Sequence, residues 1–288
     1  MRVIGRSLPA LFLLTVVGCS GGKTLLRFHP RAGTYRYTMQ QTMKGGVSAG
    51  GDGGPVMSAG EASITAQVRE VIAGPREDGV GVTWSIDTLT VSSPQQGMRA
   101  RVESTLATRI ARVQATRLDV VYDDRMIPTK TRVTDPLARA DEGMQISPRS
   151  AAHAFAFPLP VDPVRKGDEW RAADEFPLEG VTGTRPIDVQ YILTVRDIRV
   201  DGADTTIVIG IATKFPDTPL TMTEQGVTVQ AKVTGTATGQ QEFNLTQGVL
   251  VSGTMDGNIR VDMTGGQLRT TLAMTLELHI TMRLVGGS

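Results

Sequence analysis

From Leu272 to Leu284 the chain alternates with a period of two. Leu272, Met274, Leu276, Leu278, Ile280, Met282 and Leu284 fall on one face, and Thr271, Thr275, Glu277, His279, Thr281 and Arg283 on the other. That period belongs to a strand with one buried and one wet face, the pattern of an antiparallel sheet. About 14 residues of strand reach on the order of 45 Å. Long, twisted strands with few helices curl rather than lie flat. The run therefore predicts a mainly β fold, with α+β as the other option, in which long antiparallel strands curl into half-barrel-like sheets. The concave apolar face of such a sheet has to be filled. The candidates are a helix near residues 98–110, the segment Phe155–Pro160, the other half of the chain, or a lipid.

Earlier stretches carry the same signal. Gly33-Thr34-Tyr35-Arg36-Tyr37-Thr38-Met39 alternates and is rich in β-formers. Ile64, Ala66 and Val68 oppose Thr65, Gln67 and Arg69. After a turn beginning at Gly74-Pro75, Val80, Val82, Trp84 and Ile86 alternate again, which reads as a hairpin. Lys44 to Pro55 is so glycine-rich that a loose loop is expected. Met98, Val102, Leu106, Ile110 and Val113 recur at helical spacing, although strand from about Ile110 fits equally well. Pro128, Asp135-Pro136 and Ser147-Pro148 mark an irregular middle. Further on, Val227 to Gly235 alternates, and Asp256-Gly257 has the composition of a hairpin turn.

The second half echoes the first. Val68-Arg69-Glu70-Val71 matches Val195-Arg196-Asp197-Ile198, and at the same offset Val80, Val82 and Trp84 fall on Ile207, Ile209 and Ile211. Asp201-Gly202 then takes the turn position of Gly74-Pro75. Two related halves, 33–160 and 161–288, are expected.

The beginning of the chain sets its expected location. Arg2 and Arg6 precede an apolar run from Leu8 to Val17, which ends in Val16-Val17-Gly18-Cys19-Ser20. The run is too short for a spanning helix, which needs about 20 residues, and its flanks suit a signal peptide. Cys19 is the only cysteine. Branched and small residues ahead of a lone cysteine form a bacterial lipoprotein signal cut between Gly18 and Cys19, leaving Cys19 to carry diacylglycerol and an amide-linked acyl chain such as palmitate. Two or three chains anchor stably where one does not. Residues 1–18 are thus expected to be removed and 19–32 to form a lipidated tether. Ser20 favours the outer membrane, facing the periplasm. Net charge is +1 for the whole chain and falls slightly with the loss of Arg2 and Arg6. Such neutrality argues against nucleic acid and against a polybasic membrane patch.

No catalytic set can be assembled. Gly46-Val47-Ser48-Ala49-Gly50 spells a nucleophile elbow, but the glycines and Pro55 after it cannot start the helix that the chemistry requires. His29, His153 and His279 are not at metal-ligand spacing. Asp123-Asp124 and Asp141-Glu142 are adjacent carboxylates, which point apart and suit solvated turns. Trp84 and Trp170 read as core rather than ligand-stacking residues. The 12 methionines hint only weakly at an adaptable apolar surface. No cofactor and no metal are expected.

Pro163-Val164-Arg165-Lys166-Gly167-Asp168-Glu169-Trp170, together with the lipobox and the glycine-to-aromatic start at Gly33, resembles an uncharacterised family of bacterial lipoproteins. That resemblance implies an exported β-rich domain and brings no activity. A vaguer similarity is to periplasmic lipoprotein carriers and lipid-binding lipoproteins, whose half-barrel holds acyl chains; it assigns no site residue. The expected function is a membrane-anchored, non-enzymatic envelope protein binding a lipid or other hydrophobic ligand on a concave sheet face. The alternative is a scaffold that meets an envelope protein partner.

Overall fold

The computed structural model describes residues 22–49, 56–92, 110–134, 157–176, 187–224, 227–265 and 271–288. Their strands are β1 (Gly33–Ala49), β2 (Val56–Arg76), β3 (Gly79–Ser92), β4 (Arg117–Tyr122), β5 (Pro128–Thr134), β6 (Glu169–Phe176), β7 (Ile187–Asp201), β8 (Asp204–Glu224), β9 (Val227–Asn244), β10 (Val249–Gly265) and β11 (Leu272–Gly287). All belong to one antiparallel sheet in the order β5-β4-β3-β2-β1-β11-β10-β9-β8-β7-β6. The two halves are joined at the centre, where β1 pairs with β11 from Tyr35↔Gly287 to Ala49↔Leu272. The edges β5 and β6 do not pair with each other, so the sheet is open. Pro128, Lys130 and Arg132 on β5 discourage further strand addition there.

The sheet curls strongly. Six inter-strand steps separate β4 from β9, about 29 Å on a flat sheet. Yet the ring of Phe28 lies 6.0 Å from that of Tyr122 on β4 and 6.2 Å from that of Phe243 on β9. One side chain thus spans the gap between them. Part of the bend comes from β9. A Cβ on Gly239 would run into the carbonyl of Thr254, and one on Gly235 into that of Asn258. Bare backbone at these two positions lets β9 and β10 press together where the sheet coils. Gly239→Ala is expected to cost about 1–3 kcal/mol by overpacking against main chain. Gly257→Ala, whose new atom would sit 3.3 Å from the Ala237 Cβ, should cost less. Urea unfolding midpoints check the difference.

The concave face at one end of the sheet is filled by the chain itself. Leu26 and Phe28 from the N-terminal segment and Phe157 and Leu159 from the middle segment are buried against residues of β1–β4 and β7–β10. The two segments are locked together. Thr24 N donates to Val164 O (2.6 Å) and Val164 N to Thr24 O (2.8 Å); Phe28 N donates to Asp124 O (2.8 Å), and Leu159 N to Arg125 O (2.8 Å). Residues 24–30, expected to be tether, are therefore a packed strap, because Leu26, Phe28 and Pro30 alternate inward.

Other expectations change as well. Gly45–Ala49 continue β1 rather than loop out, since β2 and β11 flank them and satisfy their backbone. Asp256-Gly257 lies mid-strand in β10, paired with His279-Leu278 and Thr238-Ala237. The preceding turn is instead at residues 245–248, where Gly248 has φ +73° and packs so closely on Pro30 that no Cβ would fit. The first hairpin turns at Glu77-Asp78, while Gly74-Pro75 forms a bulge in β2. Residues 110–115 are helical, as the spacing of Ile110 and Val113 suggests, and strand begins only at Arg117 rather than near Ile110; residues 98–109 lie outside the described ones.

Both echoed hairpins are present as β2–β3 and β7–β8, and Val80, Val82, Trp84, Ile207, Ile209 and Ile211 are all buried. They differ at the carboxylate. Glu70 faces the core opposite Trp84, whereas a bulge between Val195 and Asp197 turns Asp197 out beside Val208. There it meets Arg199 at 3.0 Å and Lys166 at 3.7 Å.

Candidate functional site

Two features of the concave face stand out, a sealed acidic cage and an open apolar belt. Phe28, Trp84, Tyr122, Met126, Phe243 and Leu250 wall the cage around Glu70. The Glu70 side chain enters because residues 64, 66, 68, 70 and 72 of β2 share the inward face, and it retains 4% of its exposure. The hydroxyl of Tyr37, on the neighbouring strand, donates to Glu70 Oε2 at 2.6 Å. Burial pushes the Glu70 carboxyl up to about 8, and the Tyr37 hydrogen bond pulls only partly the other way. Burial first, and then the Glu70 charge, raise Tyr37 and Tyr122 well above the ordinary tyrosine range. The residual gap is about 10 Å³, the lower limit for one water. A near-neutral carboxylic acid in so small a space has a proton to exchange but no room for a substrate.

Met126 closes the cage from a strained position. Its φ is 60°, an unusual left-handed conformation for a non-glycine residue. The Asp123 carboxylate holds the turn by accepting hydrogen bonds from the backbone N–H groups of Arg125 and Ile127, both at 2.8 Å.

Beyond the cage the same face opens into the belt. Cross-strand register on β1, β11, β10 and β9 lines up Gln41–Ile280–Met255–Gly239, then Met43–Leu278–Gly257–Ala237, Gly45–Leu276–Ile259–Gly235, Val47–Met274–Val261–Val233, and Ala49–Leu272–Met263–Ala231. Only Gln41 is polar. Met43, Leu276, Leu278, Ile280, Ile259 and Val261 are half-buried, and Met274 is 39% exposed. Four strands by five such rungs cover on the order of 400 Å² in projection, the size at which an apolar patch on a monomer is often functional. Leu220, Ala231 and Val233 form a small buried cluster along its border. A separate open hollow of about 480 Å³ beside the β8 bulge is lined by Lys214, Phe215, Asp217, Thr236 and Asn258; its Lys214–Thr236–Asn258 rung is out of phase with the belt.

The residues weighed from sequence are scattered. Trp84 is core, and Trp170 is half-buried with its indole N–H donating to Pro158 O at 2.8 Å. Ser48 lies within β1, not on an elbow. His279 is on the outer face, its Nδ1 2.6 Å from Asp256 Oδ1, and His29 is exposed. Asp123 and Asp124 diverge as expected, Asp124 pairing with Arg27 at 3.1 Å. Gly18, Cys19, Asp141, Glu142 and His153 lie outside the described residues. Among the described residues no helix is long and apolar enough to cross a membrane, and no group of three or more histidine, cysteine or carboxylate residues is placed to hold a metal. Glu70 is the site residue that the sequence pattern alone does not single out. Its position in phase with Val68 and Ile72 was the available signal.

No family model matches the chain, and no curated protein matches it.

Proposed function

We propose that the chain is a lipid-anchored, non-enzymatic protein of the bacterial envelope that holds a hydrophobic ligand on its apolar belt, with Cys19 as the lipidated residue. The observation that carries the ligand reading is the run of five uncharged rungs left half-covered beyond a fully packed cage. A protein needing only a core would gain stability by burying those side chains at roughly 25 cal/mol per Å². The anchor reading rests on Val16 to Ser20 and on the single cysteine. The second reading, a scaffold meeting a protein partner, draws support from the closed cage, because the chain fills that end of its own concavity.

Native mass spectrometry on residues 20–288, exported behind a neutral signal, tests the ligand. A discrete added mass that is lost on denaturation is expected, and Leu278→Arg, in the middle of the belt, should remove it. A bare mass for the unsubstituted protein would move the reading to the scaffold. For the anchor, Cys19→Ser should shift the full-length protein from the membrane to the soluble envelope fraction. Membrane retention of that variant would refute lipid anchoring at Cys19.

A further inference from the structure

We propose that the strap surface bearing Leu25 and Val161 is the face this protein lays on the bilayer, with both side chains in the headgroup layer of the leaflet that holds the Cys19 lipid. This inference rests on the anchored reading above.

Chain reach comes first. Thr24 is fixed to Val164 by hydrogen bonds in both directions, and Leu26 and Phe28 behind it are core. From Cys19 to Thr24 is five residue steps, no more than about 18 Å even fully extended. The interfacial layer on each side of a bilayer is itself several ångströms deep. A body clamped at Thr24 therefore cannot swing clear of the lipid surface, and the strap is the part held nearest to it.

The strap carries the side chains such a position calls for. Leu26 and Val164 point inward, which turns Leu25 outward with 52% exposure; Val161 on the partner segment is 60% exposed. The two segments run antiparallel from the Thr24↔Val164 bridge. Arg27 ties them again, its guanidinium donating to Pro160 O at 3.2 Å and to Val161 O at 3.1 Å. Two exposed aliphatic residues, one on each segment and about two positions apart in register, are thus presented on this hydrogen-bonded ribbon at the root of the anchor.

The charges around them are close to balanced. Arg27 pairs with Asp124, Arg165 with Asp168 at 3.6 Å and Lys166 with Asp197 at 3.7 Å, while Lys23 and Asp162 are exposed on the same ribbon. A surface of this kind does not bind by a basic field. It orients a body that the lipid already holds, through apolar insertion, with the exposed Lys23 side chain available to the headgroups.

The test uses the full mature lipidated protein in vesicles of phosphatidylethanolamine and phosphatidylglycerol. Val161→Cys and, separately, Thr264→Cys on the exposed far end of β10 are labelled with a nitroxide; Leu25→Cys provides a second strap position. On reconstitution the strap labels should lose several-fold in accessibility to a water-soluble relaxation agent, and the Thr264 label should not change. Equal accessibility at strap and far end, in protein whose mass shows the lipid, would overturn this surface and leave the anchor standing. A mature mass without lipid would overturn the anchored reading and this surface with it.

Discussion

Replacing Glu70 by glutamine is expected to flatten the dependence of stability on pH between about 4.5 and 8, and to make the protein more stable than its parent at the upper end. An unfolded glutamate titrates near 4.5, whereas in the cage the carboxyl titrates at about 8. The native state holds the proton more tightly, so it binds more protons than the unfolded state throughout that window. Stability is then fully present below the lower value, falls as pH rises through the window, and levels off above the upper one. A tenfold difference in proton affinity between the two states corresponds to about 1.4 kcal/mol, which puts the loss on the order of 5 kcal/mol at its limit. Glutamine keeps an acceptor for the Tyr37 hydroxyl but brings one more N–H than the protonated acid, which in so small a gap costs about 1–3 kcal/mol if left unpaired. The two curves should therefore cross, with the glutamine variant lower in acid and higher by about 2 kcal/mol near pH 8. Urea midpoints across the window measure it. Parallel curves would show that Glu70 does not titrate there. The carboxyls of Asp78 and Asp197 are held below the usual range by hydrogen bonds from Lys130 and Arg199; they act only in acid and are common to both proteins.

The contrast between Glu70 and Asp197 shows where the sequence stops being legible. The two occupy matching positions in the echoed hairpins, and nothing local separates a glutamate facing a tryptophan from an aspartate facing solvent. The difference is one extra residue, Arg196, in the ladder of β7. A one-residue slip turns everything beyond it to the other face. Bulges are set by twist and by neighbouring strands, so a period-two pattern read along one strand does not contain them. The run from Leu272 to Leu284 was readable because its partners on β1 and β10 impose no bulge between Leu272 and Met282. The open, curled, antiparallel sheet followed from such runs. Glycines misled in the other direction. In Lys44-Gly45-Gly46 and at Asp256-Gly257 they suggested breaks, yet paired backbone on both sides continues the strands, with a bulge against β2 between Gly45 and Gly46. The belt was foreshadowed by the inward face of β11, but its extent depends on β1 and β10 lying on either side of that strand. That is a long-range fact, since β1 and β11 come from opposite ends of the chain.

Phe28→Ala is expected to cost about 3–5 kcal/mol, the usual range for removing a buried aromatic side chain. The sum of its contacts explains why it should fall at the upper end. Its ring meets Tyr122 edge-on at 6.0 Å and Phe243 at 6.2 Å, and Phe243 in turn meets Phe157 at 6.1 Å. It therefore joins the N-terminal strap, β4, β9 and the middle segment, elements that the sheet alone leaves far apart. Collapse around the hole is limited, because β4 and β9 can approach only by tightening a bend already set by Gly235 and Gly239, and a site that cannot relax keeps its cavity. The same hole would lie beside Glu70 and admit water, so part of the penalty on its charged form should disappear. Two signatures follow: a large fall in the urea midpoint, and a weaker fall of stability with pH than in the parent. Phe28→Leu, which keeps most of the volume, should cost about 1.5 kcal/mol or less and preserve the pH dependence. If alanine lowered the midpoint while the pH dependence stayed whole, the ring would be structural mortar only, and the seal over Glu70 would have to come from Met126 and Leu250.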